Sequence, residues 1–294
     1  MHEARDGGLD PLVRLLVPLD FSPVSEPLLQ IAVSISKQYS AELVLVHVIE
    51  DSIIEHVSAG YNVSLIVSEL ELEARRKLES YKSMAEKLGA RAAIYDEIPV
   101  SDPAAAIAEI ASEVRASEVV VASRGWGLRR LFSIGSTSRL LVKLSPVPVL
   151  FLRAYKQDDK AAIIVPEGGL FSTIAYAITG TYSEEALDYV TKLASKTKSK
   201  IVLIHVRERD SGEFVDEVAR KLSYRGVDVE KVVTTGRPHE AIVSYAEAAG
   251  ASLIFAERRL HEGIKSLFLG STLDRILNSS RIPVLVHPAA SERT

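Results

Sequence analysis

Short apolar runs alternate with longer amphipathic segments along the first half of the chain. Residues 14–18 and 43–48 are apolar at nearly every position. Continuous apolarity of this kind is typical of strands buried on both faces of a parallel sheet. Between these runs, apolar residues from 28 to 35 recur at spacings of three and four, which predicts a helix. The chain therefore begins as a strand, a helix and a second strand.

The same alternation continues to residue 152 and predicts a complete α/β domain. The predicted strands are 14–18, 42–48, 92–95, 118–122 and 147–152, and the predicted helices begin at residues 25, 69, 102 and 139. Strands that alternate with helices imply a parallel sheet covered by helices on both faces. Residues 51–66 fit neither pattern, and we expect a loop there.

The second half of the chain repeats the pattern of the first. Four pairs of segments match: 43–48 with 201–206, 102–103 with 237–238, 135–137 with 270–272, and 147–150 with 282–285. The offset is 158 residues for the first pair and 135 for the others, so the second copy is 23 residues shorter between its second and third strands. Such a repeat predicts two copies of one fold.

We therefore predict two tandem Rossmann-like domains, residues 1–155 and 156–294, each with a five-stranded parallel sheet. Residues 161–172 have no counterpart in the first copy; an extra strand is expected at 163–166 and a turn at 167–169. The strands that follow Pro148 and Pro283 are candidates for pairing between the domains, since proline is tolerated at sheet edges. The two copies would then form an internal pseudo-dimer.

The amino-acid composition excludes several classes of site and function. The 294 residues contain no cysteine, which excludes disulfides, thiolate metal sites and cysteine nucleophiles. The net charge is −4, and no basic stripe with interleaved aromatic residues is present, so nucleic acid is not an expected partner. No apolar run approaches the roughly 20 residues of a membrane span. A cytoplasmic protein without a membrane partner is expected.

Residues 122–138 join the end of an apolar strand to the start of a helix. The segment contains Gly125, Gly127 and Gly135, with Arg124, Arg129 and Arg130 close by in sequence. Glycines let a backbone approach a ligand closely, and the unpaired N–H groups at a helix start suit a phosphate. Ser136 or Thr137 can cap the helix or donate a hydroxyl to an anion. A loop that caps an ordinary crossover helix is an equal alternative on this segment alone.

The ends of the other strands favour the binding alternative. Asp20 and Val48 follow the first two strands, and the loop at 122–136 follows the fourth. Ligands of parallel sheets bind beyond the carboxyl ends of the strands, where the strand order reverses. These three segments can therefore line one pocket. Ser22 and Ser25, beside Asp20, are expected to cap the first helix.

These motifs resemble those of the universal stress protein (UspA-like) family, in a tandem two-domain form, over residues 13–287. The family motif is Gly, two residues, Gly, nine residues, Gly, then Ser or Thr; here Ala122, Gly125 and Gly135-Ser136 occupy its positions. A first-strand signature, apolar-Pro-x-Asp-Phe-Ser, appears at 17–22, and a second-strand signature appears at His47-Val48. Ala122 is the one departure from the nucleotide motif.

The resemblance implies an adenine nucleotide alpha-hydrolase-like fold and an adenine-nucleotide site in the first copy. Asp20 would accept a hydrogen bond from the ribose or the base, and Pro18, Leu19 and Val48 would flank the base. The phosphates would be held by Ala122, Gly125, Gly135, Ser136 and Thr137, with Arg124 near them. The implied cofactor is ATP or AMP, with or without Mg²⁺. The methyl group of Ala122 would crowd or narrow the phosphate loop, and we expect binding to survive.

The second copy departs further from the motif. Glu257 and Leu260 stand where the motif has its first two glycines, and no aspartate corresponds to Asp20. A carboxylate repels a phosphate, and a bulky side chain keeps the backbone away from it. Gly270-Ser271 could still hold a small anion. We expect the second copy to be a degenerate structural partner without a nucleotide.

The implied function is a stress-response sensor or regulator that forms a homodimer and acts on an unidentified protein partner. One alternative is a slow ATP hydrolase, which ranks lower because no Ser-Gly-Gly-x-Asp-Ser loop or general base is evident; we assign no catalytic residue. Another is a structural partner without a ligand. His47 and His205 are expected to be hydrogen-bonded structural histidines rather than metal ligands, and no metal site is predicted. Trp126 could stack on a base or pack against a neighbour.

Overall fold

The computed structural model of this protein describes residues 13–52, 54, 62–123, 135–158, 160–178, 182–207, 213–258 and 270–288. The first half contains strands β1 (Arg14–Pro18), β2 (Glu42–Val46), β3 (Ile49–Glu50), β4 (Arg91–Ile94), β5 (Val100–Ser101), β6 (Glu118–Ala122) and β7 (Val149–Leu152). Its helices are α1 (Ser25–Tyr39), α2 (Val63–Lys87), α3 (Pro103–Glu113) and α4 (Ser136–Leu144).

The second half repeats this series after a short hairpin. Its strands are β8 (Ala154–Gln157), β9 (Lys160–Ile163), β10 (Thr173–Ile178), β11 (Lys200–Val206), β12 (Val229–Thr234), β13 (Leu253–Glu257) and β14 (Val284–His287). Its helices are α5 (Glu184–Thr197), α6 (Glu213–Tyr224), α7 (Pro238–Ala248) and α8 (Ser271–Ser279). We call the two halves repeat one and repeat two. No helix in the described part of the chain combines the length and apolarity that a membrane span requires.

Ten strands form one continuous sheet in the order β12-β11-β10-β13-β14-β7-β6-β1-β2-β4. Each repeat contributes five parallel strands, which confirms the predicted fold class. The strand order reverses beside the first strand of each repeat, between β1 and β6 and between β10 and β13. In such sheets the crevice at the reversal is the usual ligand site.

The two repeats are joined by their last strands, as the prolines indicated. β7 and β14 pair antiparallel, with Leu150 opposite Leu285. Because parallel strands run the same way within a repeat, the antiparallel junction points the carboxyl ends of the two repeats toward opposite edges of the sheet. The domain boundary at residue 155 remains a prediction; it falls in the hairpin of β8 and β9.

Helices cover both faces, and alternate residues of each strand supply two separate cores. On β1, Leu15 and Val17 pack into the core under α1, α2, α5 and α6, whereas Leu16 packs into the core under α3, α4, α7 and α8. Successive side chains of a strand point to opposite faces, so a strand covered on both sides must be apolar throughout. This is why the strands appear as uninterrupted apolar runs in the sequence.

Apart from shifts of up to three residues at the ends of other elements, two predictions differ from the observed structure. Helix α2 begins at Val63, six residues before its predicted start, because the side chain of Asn62 accepts a hydrogen bond from the Ser64 N–H and caps the helix. The extra strand expected at 163–166 is instead β9, which ends at Ile163. The predicted turn follows it, with Gly168 and Gly169 at φ +82° and +92°.

A buried carboxyl group links the repeats beneath the sheet. Glu118 of β6 is 1% exposed, and its Oε2 accepts a hydrogen bond of 2.5 Å from the hydroxyl of Tyr189 in α5. Among the described residues, neither Oε1 of Glu118 nor the buried hydroxyl of Tyr39 has a hydrogen-bond partner. Burial, followed by the charge of Glu118, raises the pKa of Tyr39. Burial raises the pKa of Glu118 to about 7, and the hydrogen bond from Tyr189 opposes that rise.

We predict that Glu118 makes the stability of the fold fall as the pH rises. From the ordinary carboxyl pKa of 4.5 up to about 7, the folded chain keeps a proton that the unfolded chain has lost. The free energy of unfolding therefore decreases across this range, by up to about 3 kcal/mol, and the loss is complete above it. Urea unfolding from pH 4.5 to 8.5 should show this decrease relative to Glu118→Gln, which stays neutral.

Tyr189→Phe supplies the matched control. It removes the hydrogen bond that favours the ionised carboxylate, so the pKa of Glu118 should rise and the decrease should extend to higher pH. Parallel stability curves for the wild type and Glu118→Gln would contradict the assignment.

Candidate functional site

A cavity of about 460 Å³ opens at the carboxyl ends of β1, β2 and β6. It crosses the edge of the sheet from α1 and α2 on one face to α3 and α4 on the other. Six of the predicted site residues line it: Pro18, Leu19, Asp20, Val48, Ala122 and Thr137. The topology thus brings together residues from four separate segments of the sequence, at the place where the strand order reverses.

The remaining predicted residues lie at the start of α4 or outside the described residues. Gly135 is the N-cap of α4 and Ser136 is its first residue, directly before the cavity-lining Thr137. No side chain caps this helix, so the first of the two roles offered for Ser136 or Thr137, capping, is wrong, and donation of a hydroxyl to an anion stays a prediction. Arg124 and Gly125, together with Gly127, Trp126, Arg129 and Arg130, lie outside the described residues.

Packing against the described residues does not explain the glycine at the start of α4. Gly135 has φ −62°, which any residue adopts, and a methyl group added to it would meet no described residue within 4 Å. The first N–H groups of α4 carry the partial positive charge of the helix dipole. They lie beside the cavity without a side-chain cap.

Asp20 is oriented by two hydrogen bonds from the loop that follows β1. Its Oδ1 accepts from the backbone N–H of Ser22 and from the hydroxyl of Ser25, each at 3.0 Å. The N-cap of α1 is Val24, and no side chain caps this helix, so the capping role predicted for the two serines is wrong. Ser25 is already the first helical residue, and its hydroxyl instead fixes the carboxylate at the cavity wall.

Phe21 belongs to the first-strand signature and lines the cavity, although no role at the site was predicted for it. Its backbone has φ +58°, a left-handed conformation that costs a bulky residue about 1–2 kcal/mol. In this conformation the Phe21 ring stacks on the ring of His47, with the ring centroids 4.1 Å apart, and on the ring of Tyr81, with the centroids 6.0 Å apart. The ammonium group of Lys77 lies 5.2 Å from the centre of the ring. Strained residues of this kind cluster at functional sites.

One face of α2 forms the outer wall and was also missed. Leu70, Glu73, Ala74 and Lys77 line the cavity, and Glu73 pairs with Lys77 at 2.6 Å. Their spacing of three, four and seven residues places them on one side of a helix. That spacing is visible in the sequence, but nothing in the sequence places this face at the ends of β1 and β2.

The hydrogen bonds predicted for the two strand-end histidines are present. Nδ1 of His47 lies 2.6 Å from the carbonyl oxygen of Leu19, and Nδ1 of His205 lies 3.0 Å from that of Ile178. A carbonyl oxygen only accepts, so Nδ1 carries the proton in each ring. Burial lowers the pKa of His47, which keeps the ring neutral at pH 7. The described residues contain no group of three acidic or histidine side chains able to hold a metal ion.

In repeat two, a carboxylate of the protein lies where the cavity would be. Glu257 ends β13 as Ala122 ends β6, and its Oε2 accepts a hydrogen bond of 3.0 Å from the backbone N–H of Ser183. Ser183 caps α5 through its hydroxyl. Leu260, the other departure from the motif, lies outside the described residues. The absence of nucleotide binding in this repeat stays a prediction.

Comparisons with known proteins agree with the motifs. The model of the universal stress protein family matches residues 13–153 and 207–288. A universal stress protein of Methanocaldococcus jannaschii is 30% identical over 146 residues, which cover 49% of this chain and 84% of the relative. One from Mycolicibacterium smegmatis is 24% identical over 294 residues, covering 92% of this chain and 96% of the relative.

A solved structure has the same tandem arrangement along nearly its whole length. The crystal structure of a universal stress protein from Archaeoglobus fulgidus matches with a TM-score of 0.77, covering 94% of this chain and 98% of that one. The two sequences are 23% identical, so the likeness concerns the fold.

The stacking of Phe21 on His47 leads to a testable prediction. In Phe21→Ala, water reaches the imidazole, so the pKa of His47 should rise toward its ordinary value of 6.5. Tyr81→Phe keeps the second ring of the stack and should leave the pKa of His47 unchanged. NMR titration of the imidazole C–H signals measures both variants, and an unshifted His47 in Phe21→Ala would refute this account.

Proposed function

Because this chain belongs to the universal stress protein family, we propose that repeat one binds an adenine nucleotide (ATP, ADP or AMP) in the cavity above β1, β2 and β6. We propose further that the protein is a stress-response regulator rather than an enzyme. The observation that carries the proposal is the convergence of six predicted residues on one cavity. Its volume of about 460 Å³ is within the range of about 300–1,000 Å³ common for small-molecule sites.

The end of the cavity at β1 and β2 suits a base and a ribose. Pro18, Leu19 and Val48 provide apolar walls, against which a flat ring can pack. Asp20 is exposed at its side, with one oxygen already held by two hydrogen bonds. A carboxylate only accepts hydrogen bonds, so it selects a group that donates, such as a ribose hydroxyl or an amino group.

The end of the cavity at α4 suits phosphates. Thr137 and Ser138 line it in the first turn of that helix, whose N–H groups have no side-chain cap. A helix N-terminus favours negative charge through these N–H groups and through its dipole. Elsewhere the lining is acidic, with Asp20, Glu50 and Glu73 against the single described lysine, Lys77. The phosphates of the ligand therefore belong at the α4 end.

One nucleotide per chain follows from the difference between the repeats. Ala122 leaves space at the end of β6, whereas Glu257 fills the equivalent place in repeat two with a negative charge. A phosphate brought there would meet a carboxylate that already has a hydrogen-bond partner. The nucleotide would occupy repeat one alone, and repeat two would serve as a structural and regulatory partner.

The state of the histidine in the described lining supports regulation rather than hydrolysis. Its one histidine, His47, is neutral, stacked on Phe21 and bonded through Nδ1 to a carbonyl.

The homodimer implied by the family would need a surface other than β7 and β14, since each of these strands already has a neighbour on both sides. The protein partner would then bind differently to the chain with and without a nucleotide in repeat one.

We expect close to one adenine nucleotide per chain. Purified protein is denatured, the released nucleotide is identified by chromatography, and isothermal titration of the emptied protein counts the sites. Two equivalent sites, or none, would refute the proposal. Incubation of the complex with Mg²⁺ over hours tests for products, and steady release of ADP and phosphate would favour the hydrolase instead.

Asp20→Asn should weaken nucleotide binding about 10-fold, because it replaces a charged acceptor by a neutral one. The variant keeps an oxygen to accept the bonds from Ser22 and Ser25, so the loop should persist. Glu257→Gln in repeat two is the matched control and should bind as the wild type does. Equal affinities of Asp20→Asn and the control would argue against contact between Asp20 and the ligand.

A further inference from the structure

A buried arginine lies at the junction of the repeats without a counter-charge. Arg153 directly follows β7 and is 1% exposed. Its Nη2 donates one long hydrogen bond, 3.5 Å, to the carbonyl oxygen of Ile276 in α8. Among the described residues, its Nε and Nη1 have no hydrogen-bond partner and no carboxylate pairs with it. Two of its three nitrogens are thus unsatisfied.

The positive charge persists despite the burial. Burial lowers the pKa of Arg153 to about 10, so the guanidinium remains protonated at neutral pH. A buried charge without a partner is strongly unfavourable, and buried donors in native proteins nearly always have acceptors. An anion held near Arg153 would supply the missing negative charge.

Arg153 lies next to the wall of the cavity in repeat one. Its neighbour across the sheet is Ser123, which lines the cavity. The Ser123 N–H donates to the carbonyl oxygen of Leu152 at 2.9 Å, and the Ser123 hydroxyl accepts from the Ala154 N–H at 3.4 Å. These two bonds hold Ser123 against the backbone on both sides of Arg153. Arg153 itself does not line the cavity. Its backbone is one strand, about 4.8 Å, from that of Ser123, so its charge can act on the cavity from behind the wall.

The same short stretch of α8 contacts both Arg153 and the first turn of α4. Arg139, three residues after Ser136, pairs with Asp274 at 3.2 Å and donates to the Asn278 side chain at 3.3 Å. Ile276, which contacts Arg153, lies between these two residues. Two arginines therefore converge near the start of α4. The carboxylate of Asp274 neutralises Arg139, whereas no carboxylate among the described residues pairs with Arg153.

We propose that Arg153 supplies a fixed, buried positive charge that stabilises the phosphate groups of a nucleotide bound at the start of α4. This role rests on the proposed function of repeat one and extends it, because α8 of repeat two would position the arginine. The phosphate site of one repeat would then depend on the other.

Capping of α8 alone does not account for Arg153. A cation near a helix C-terminus is favourable, and the bond to Ile276 uses one nitrogen for it. Arg258 of repeat two caps α4 with more bonds: its Nη1 donates to the carbonyl oxygens of Val142, Lys143 and Ser145, although its Nε, like that of Arg153, has no hydrogen-bond partner among the described residues. The two free nitrogens of Arg153 remain to be explained.

The test uses a series of ligands that differ only in their number of phosphates. Adenosine, AMP and ATP are titrated into the full chain and into Arg153→Met, which keeps the length of the side chain and removes its charge. We expect affinity for ATP to fall about 10- to 100-fold, the effect on AMP to be smaller, and adenosine to change less than about 2-fold. Equal losses for all three ligands, or no loss for ATP, would overturn the proposal.

Two further variants separate charge from structure. Arg153→Lys keeps the charge and should retain more affinity for ATP than Arg153→Met. Arg258→Met removes the other arginine of the junction, at the far end of α4, and any change it causes should be the same for adenosine and ATP. If Arg153→Met does not fold, the Arg153 Nε–H signal of the wild type decides by NMR: ATP should shift it and adenosine should not.

A last arm distinguishes failure of this proposal from failure of the nucleotide site itself. If the wild type binds neither adenosine nor ATP, the proposed function fails, and inorganic pyrophosphate then tests the anion site directly. Pyrophosphate should raise the melting temperature of the wild type and of Arg153→Lys, and should leave Arg153→Met unchanged. Equal shifts in all three proteins, or no shift in any, would overturn the role of Arg153.

Discussion

The antiparallel pairing of β7 with β14 is the contact on which the rest of the molecule depends. Each of these strands ends its own parallel sheet and has an unpaired edge until the other meets it. An exposed edge strand pairs readily with other chains, and here the pairing is made within one chain. The result is one sheet of ten strands rather than two sheets with open central edges.

This junction fixes where ligands can bind. Because the two sets of parallel strands run in opposite directions, the cavity of repeat one and the corresponding place in repeat two lie at opposite edges of the sheet. The same geometry brings α4 beside α8, where Arg139 meets Asp274. Each of these two helices also receives, near its C-terminal end, an arginine from the other repeat. A helix that begins at the cavity is thus held by residues of both repeats.

The junction contains buried polar groups where an apolar core would suffice for stability. Glu118 and Arg153 are both 1% exposed, and neither has an oppositely charged partner among the described residues. Apolar residues of similar volume are often equally stabilising at buried positions. Stability alone therefore does not explain why these two ionisable side chains are buried at the junction. Glu118 accepts a hydrogen bond from Tyr189, which joins α5 to β6. For Arg153 the explanation proposed here is a ligand.

The sequence by itself determined the alternation of strands and helices, the repeat and the identity of the motif residues at the strand ends. Apolar runs and helical spacing are local, and they reflect burial on both faces of a sheet. The pairing of the final strands was also predictable, since the prolines at 148 and 283 mark matching edge strands. The early start of α2 was not predicted, because its apolar residues there are largely exposed and give no periodic signal.

Only the tertiary structure decided which side chains meet. Phe21 depends on a left-handed backbone, the α2 residues of the cavity on how that helix packs, and Glu118 and Arg153 on the way one repeat faces the other. These contacts join residues up to 123 positions apart in the chain. Periodicity shows which face of an element is buried but not what it is buried against, because that depends on the packing of the whole fold.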